Sequence, residues 1–85
     1  MDIHYFAAAR AAAGTDREHI TDLPATLGEL LDALADRHTG TTDAGMPLGE
    51  IFTRCTFLVD GRNSDRSAPL AGAGRVDVLP PFAGG

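Results

Sequence analysis

The stretch TLGELLDALADRH, residues 26–38, carries the one wide apolar stripe in the chain, and any fold must cover it. Leu27, Leu30, Leu31 and Leu34 recur at i, i+3, i+4 and i+7, which places them on one face of an α-helix. Thr26 and Glu29 stand at capping-box spacing, where a hydroxyl and a carboxylate satisfy free amides of the first turn. No other segment offers a matching helical stripe, so the leucines must lie on a sheet.

Strands to build that sheet are legible on both sides of the helix. DIHYFA, residues 2–7, alternates Ile3 and Tyr5 against His4 and Phe6. AARAAAG, residues 8–14, reads as a short helical turn ended by Gly14. REHITD, residues 17–22, fits the returning strand of a hairpin. After the helix, TGTTDAGMPLG, residues 39–49, reads as a loop. RCTFLVD, residues 54–60, sets Cys55, Phe57 and Val59 against Thr56, Leu58 and Asp60, and Asp60-Gly61 marks a turn. A polar, irregular stretch leads to RVDVL, residues 75–79, with Val76 and Val78 on one face.

The predicted order is strand, strand, helix, strand, irregular segment, strand. One helix across one face of a small mixed sheet is the economical α+β solution, with the first and last strands parallel at its centre. This is the β-grasp, or ubiquitin-like, arrangement. Residues 1–79 form the domain, and residues 80–85 are an extended C-terminal tail ending in Gly84-Gly85.

Size and charge narrow the function. A chain of 85 residues buries only roughly 60–65 % of its unfolded surface, which fits one domain and leaves little room for a deep pocket. Seven basic residues against twelve acids give a net charge of −5, a field that repels phosphate backbones and counts against nucleic acid. Every basic residue is arginine. The absence of lysine excludes Schiff-base chemistry and self-attachment through a lysine side chain. No apolar run approaches the roughly 20 residues that span a bilayer, no apolar leader precedes the first strand, and Cys55 has no internal disulfide partner. A cytoplasmic protein without membrane association is the expectation.

Few side chains point to chemistry within the domain. His4, His19 and His38 lie on separate elements without metal-ligand spacing, so no metal site is expected. AGAG, residues 71–74, precedes a strand and lacks the Lys and Ser/Thr of a nucleotide loop. Cys55 is either a reactive thiol or a small core residue. Its sharing a face with Phe57 and Val59 favours the core.

The opposite sheet face is more informative. With Ile3, Tyr5, Phe57, Val59, Val76 and Val78 turned to the helix, Phe6, Leu58 and Leu79 face outward from three strands. Such a patch marks a partner surface. The competing reading covers it with a loop of the same chain, residues 39–52.

The tail, PPFAGG, adjoins that face. Pro80 and Pro81 favour an extended backbone, and six residues reach roughly 20 Å at about 3.1–3.5 Å each. Phe82 can anchor in a partner, Ala83 and Gly84 follow, and the glycines lack Cβ, so the Gly85 carboxylate can enter a narrow channel. A carboxylate is a poor electrophile and needs activation, for instance by adenylation. A frayed end is the alternative for the glycines alone, but prolines, an aromatic residue and two glycines in that order favour function.

IHYFAAARAAAGTD, TLGELLDAL, FLVDG and above all VDVLPPFAGG together resemble the ThiS/MoaD family of ubiquitin-like sulfur carriers, specifically its MoaD branch, over most of the chain. The resemblance implies a carrier that is not catalytic alone, the small, sulfur-donating subunit of molybdopterin synthase in molybdenum cofactor biosynthesis. Gly85 would be adenylated by a MoeB-like enzyme that uses ATP, converted to a thiocarboxylate by a sulfur donor system, and presented to a MoaE-like large subunit that forms the dithiolene. This chain itself would bind no cofactor. By position, Phe6 and Leu79 match the family's sheet-face contacts and Pro80, Pro81, Phe82, Ala83, Gly84 and Gly85 match the inserted tail; Leu58 is added from the residue pattern alone. Related carriers that serve thiamine, cysteine or transfer-RNA thiolation end in the same two glycines, and a ubiquitin-like protein modifier is the reading from a different class.

Overall fold

A computed structural model describes residues 1–42 and 45–81. Its elements are β1 (Asp2–Tyr5), α1 (Ala7–Ala13), β2 (Arg17–His19), α2 (Leu27–Arg37), α3 (Leu48–Phe52), β3 (Thr56–Val59), β4 (Arg62–Ser64) and β5 (Arg75–Leu79). The strands form one mixed sheet in the order β2-β1-β5-β3-β4. β1 and β5 are parallel neighbours at the centre, paired Asp2 with Arg75 through Tyr5 with Val78, and every other pairing is antiparallel. The β-grasp expectation holds. None of the helices described is long and apolar enough to cross a membrane.

The core forms where the helices meet one sheet face. Ile3, Tyr5, Phe57, Val76 and Val78 are buried from the sheet, and Leu27, Leu30, Leu31 and Leu34 from α2. Burying four leucines contributes on the order of 6–12 kcal/mol gross, far more than helix propensity supplies, so docking holds α2 in place. Thr26 caps the helix, its Oγ1 accepting from the Glu29 amide at 3.3 Å, while Glu29 Oε2 accepts from the Ala25 amide at 3.1 Å. The carboxylate thus reaches one residue further back than a strict capping box. The next two amides find backbone: Leu27 donates to the Ala68 carbonyl at 2.9 Å and Gly28 to that of Arg66 at 2.8 Å. A Cβ on Gly28 would lie 3.0 Å from the Arg66 carbonyl oxygen, so this close approach depends on glycine.

Two elements differ from the sequence expectation. Residues 48–52, read within a long loop, form α3, whose Leu48, Ile51 and Phe52 are buried against α1 and α2. Three apolar residues at i, i+3 and i+4 are the helical signal, but five residues are too few for periodicity to stand out. β4, Arg62-Asn63-Ser64, lies in the stretch read as irregular. It has no apolar alternation, and pairing with β3 across the Asp60-Gly61 turn makes it a strand. That turn has φ values of 50° and 81°, the left-handed pair of a tight hairpin.

β1 also ends earlier than expected, at Tyr5. Phe6 keeps an extended backbone and donates to the Val78 carbonyl at 3.2 Å, yet its own carbonyl accepts from Ala9 and Arg10 and so begins α1. Gly14, at φ 76°, ends α1 as expected.

A polar network fixes the sheet edge to α2. Glu18 on β2 turns inward, where it accepts from the Tyr5 hydroxyl, pairs with His38 Nε2 at 2.6 Å and with Arg37 Nη1 at 3.3 Å. The Glu18 and His38 side chains are each only 16 % exposed. Burial, followed by the bond to Glu18, drives the Tyr5 hydroxyl pKa upward. For Glu18 burial is the largest influence and raises the pKa, but the bonds from Tyr5 and His38 and the charges of His38 and Arg37 outweigh it, and the carboxyl sits below its ordinary range.

Two outcomes follow from these contacts. Because the Glu18 pKa is lower in the folded chain, its stabilisation is complete above the unfolded carboxyl value of about 4.3 and is lost as pH falls through the folded value. Thermal denaturation followed between about pH 5 and about pH 3 will therefore show a shallower acid dependence for Glu18→Gln than for the wild type; parallel slopes would refute this assignment. Asp60 Oδ1 accepts from the amides of Gly74 and Arg75, each at 3.0 Å, and seats the start of β5. Denaturant titration will find Asp60→Ala less stable by about 1–3 kcal/mol, with Asp60→Asn retaining part of that loss.

Candidate functional site: the outer sheet face and the root of the tail

Alternation along the central strands sets the outer face. On β5 Val76 and Val78 are buried, which turns Arg75, Asp77 and Leu79 outward; on β3 Phe57 is buried, which turns Thr56 and Leu58 outward. The register carries this across the sheet. Thr56 pairs with Leu79 and Leu58 with Asp77, while His4 pairs with Asp77 from the other side and Arg17 with His4. One more step along β1 brings Phe6 beside Leu79.

The three apolar residues singled out from the sequence are therefore not equivalent. Phe6 and Leu79 are neighbours, and Phe6, at 39 % exposure, is the one exposed large hydrophobic residue among those described. Leu58 lies on the diagonal from Leu79, separations of roughly 7–8 Å in such sheets, with Asp77 directly across from it. Both Leu58 and Leu79 are half-buried. Charged pairs occupy the rest of the face toward the other end of the strands: Arg75 Nε bonds Asp77 Oδ1 at 2.7 Å, and His19 Nδ1 meets Asp2 Oδ1 at 2.7 Å. The bond to His19 is the largest influence holding the Asp2 carboxyl below its usual range.

The competing reading, in which residues 39–52 cross this face, is corrected. α3 is buried on the helix side, where its Leu48, Ile51 and Phe52 fill the space beside α1 and α2. Asp43 and Ala44 lie outside the described residues. The tail leaves directly from Leu79: Pro80 is half-buried and Pro81 exposed. Phe82, Ala83, Gly84 and Gly85, which the sequence reading placed in a partner's active site, lie outside the described residues.

The remaining candidates occupy separate places. His4 is on the outer face, His19 pairs with Asp2, and His38 belongs to the Glu18 network, so the three histidines do not converge. Cys55 packs against the core, as its strand position favoured. Its thiol donates to the Ile51 carbonyl at 3.2 Å, and burial pushes its pKa up to about 11. Sequence reasoning missed the Tyr5-Glu18-His38 network and the role of Asp60. Alternation already turned Glu18 inward with Ile20, and an inward charge on an edge strand needs a partner; only the fold shows that the partners come from β1 and the end of α2.

A β-grasp domain with an exposed apolar sheet face at the root of a diglycine tail defines a ubiquitin-like protein. The ThiS family model matches residues 3–85, and the chain belongs to that family of ubiquitin-like sulfur carriers. Among solved structures it is similar to SAMP1 from Haloferax volcanii, with 26 % identity, a TM-score of 0.69, and coverage of 100 % of this chain and 98 % of that one. A second structure, of H. volcanii small archaeal modifier protein 1, shares the fold at 24 % identity and a TM-score of 0.68, over 96 % of this chain and 97 % of that one. Comparison with curated proteins matched none.

The thiol assignment has a direct check. Titration of Cys55 with an aromatic disulfide at about pH 8, below its raised pKa, will be at least about tenfold slower in the native chain than in denaturant. Equal rates would return Cys55 to the list of reactive groups.

Proposed function

We propose that this chain is the small, sulfur-donating subunit of a molybdopterin synthase. The observation that carries the reading is the apolar pair Phe6 and Leu79 standing on the open sheet face where the PPFAGG tail begins. A partner that grips this face receives the tail at a fixed position. Pro80 and Pro81 hold the departing backbone extended, Phe82 and Ala83 lie along the partner's channel, and Gly84 and Gly85 pass its narrowest part.

The chemistry belongs to Gly85. In a MoeB-like partner its carboxylate oxygen attacks the α-phosphorus of ATP, forming an acyl-adenylate and releasing pyrophosphate. Hydrosulfide from the donor system then attacks the acyl carbon; a C–S bond forms, the C–O bond to AMP breaks with its electron pair, the sulfur's proton goes to solvent, and a thiocarboxylate remains. A MoaE-like large subunit supplies the catalytic residues that pass this sulfur to the dithiolene. Leu58, half-buried and diagonal to Leu79, extends the contact.

A second reading is favoured by the likeness to SAMP1, described as a modifier protein. There the same activated Gly85 would be joined to amines of other proteins.

Incubation of the chain with ATP, a MoeB-like enzyme and a sulfur source will raise the intact mass by one oxygen-to-sulfur exchange at Gly85. Deletion of Gly85 will abolish loading without unfolding the domain. Phe6→Asp and Leu79→Asp will each weaken binding to a MoaE-like subunit at least about tenfold, or about 1.4 kcal/mol. An unchanged mass, under conditions that load a control carrier, rejects the carrier. Gly-Gly remnants on lysines of other proteins, without dithiolene formation, select the modifier.

A further inference from the structure

We propose that this chain is a one-way acyl donor: once its Gly85 carboxyl is activated, neither these 85 residues nor their fold offers a free amine or thiol to accept it. The inference rests on the reading of Gly85 as the activated end. It concerns a hazard which that chemistry creates, since an activated carboxyl on an extended tail can reach the surface of any other copy in solution.

Acceptance requires an amine or thiol with a free lone pair. The acceptor attacks the Gly85 carbonyl carbon, an N–C or S–C bond forms, the bond to the leaving group breaks with its electron pair, and the acceptor's proton goes to solvent. Lysine, the usual acceptor, is absent from all 85 residues. Positive charge comes from seven arginines, whose guanidinium groups stay protonated and offer no free amine. Arg37, Arg66 and Arg75 make ion pairs with Glu18, Asp32 and Asp77. The Arg66 pair with Asp32 is exposed and could be made by an ammonium group as well, so that ion pair does not call for arginine.

The fold withholds what the sequence leaves. The α-amine of Met1 donates to the Ile20 carbonyl at 2.9 Å, and the Ile20 amide returns a bond to the Met1 carbonyl at 2.8 Å, pinning the amine in the β1–β2 edge. The Cys55 thiol faces the core side and donates to the Ile51 carbonyl. The Tyr5 hydroxyl is buried on Glu18. Three different nucleophiles are thus engaged, by Ile20 just past β2, by Ile51 on α3 and by Glu18 on β2.

The test uses the full chain as a Gly85 α-thioester, made by intein cleavage, so no activating enzyme is needed. Concentrated thioester is held at about pH 8, and cross-linked dimer is followed by intact mass and peptide mapping. Added butylamine checks that the thioester acylates a free amine. Arg54→Lys and Arg62→Lys, at exposed positions, restore a lysine. The wild type is expected to form dimer at least tenfold more slowly than either lysine variant, and to gain a Cys55-linked dimer only in denaturant. Wild-type dimer formed at a comparable rate through Met1, Cys55 or Tyr5 overturns the proposal, as do lysine variants that dimerise no faster than the wild type. Because the thioester is made chemically, failure of enzymatic sulfur loading would leave this result standing, and the reverse.

Discussion

The parallel pairing of β1 with β5 is the contact on which the rest of the structure depends. It joins the first and last strands at the centre of the sheet, and so carries the loop-closure entropy of the elements between them. It also fixes both faces at once. A one-residue slip of β5 would expose Val76 and Val78 and bury Arg75, Asp77 and Leu79, so the register is held by the full cost of that exchange. Asp60 enforces it from the far side by holding the Gly74 and Arg75 amides where the strand begins.

Much of this was legible in the residues, for a definable reason. The leucines of α2, the alternation of Ile3 and Tyr5, Phe57 and Val59, and Val76 and Val78 are long-range consequences of one apolar layer, and an apolar layer leaves a periodic trace. The outward placement of Phe6 and Leu79 follows from the same alternation, and so was readable too. What left no trace was structure held by pairing or by brevity. Arg62-Asn63-Ser64 is a strand because Val59, Leu58 and Phe57 lie opposite, not because of its own side chains. Leu48–Phe52 is a helix too short for its period to register. The distinction between Phe6-Leu79 as neighbours and Leu58 as a diagonal outlier depends on register, which alternation alone does not supply.

The two sides of the sheet are stabilised by different physics. On the helix side nearly all contacts are apolar, and a polar network, Glu18 with Tyr5, His38 and Arg37, reinforces the edge where β2 pairs with β1 over three residues and through the flanking Met1–Ile20 bonds. On the open side, Arg75 pairs with Asp77, whose side chain is only 14 % exposed, and the exposed pair of His19 with Asp2 is worth little to stability. Asp77 puts charge two residues before Leu79, which limits how far other surfaces can adhere to the apolar end. The apolar end of the open face therefore stays small and lies where the chain continues from Leu79 into Pro80.

Phe6 has a consequence beyond its exposed ring. Its N–H is committed to β5 through Val78 and its carbonyl to α1 through Ala9 and Arg10, so the backbone beneath the ring is held from both directions. An anchor mounted in this way has its backbone fixed before any partner arrives. Most of the ordering cost that an aromatic contact on a free loop would incur at association has been met during folding. A partner can thus be captured by a small surface and released again, which would suit the carrier cycle proposed for this chain.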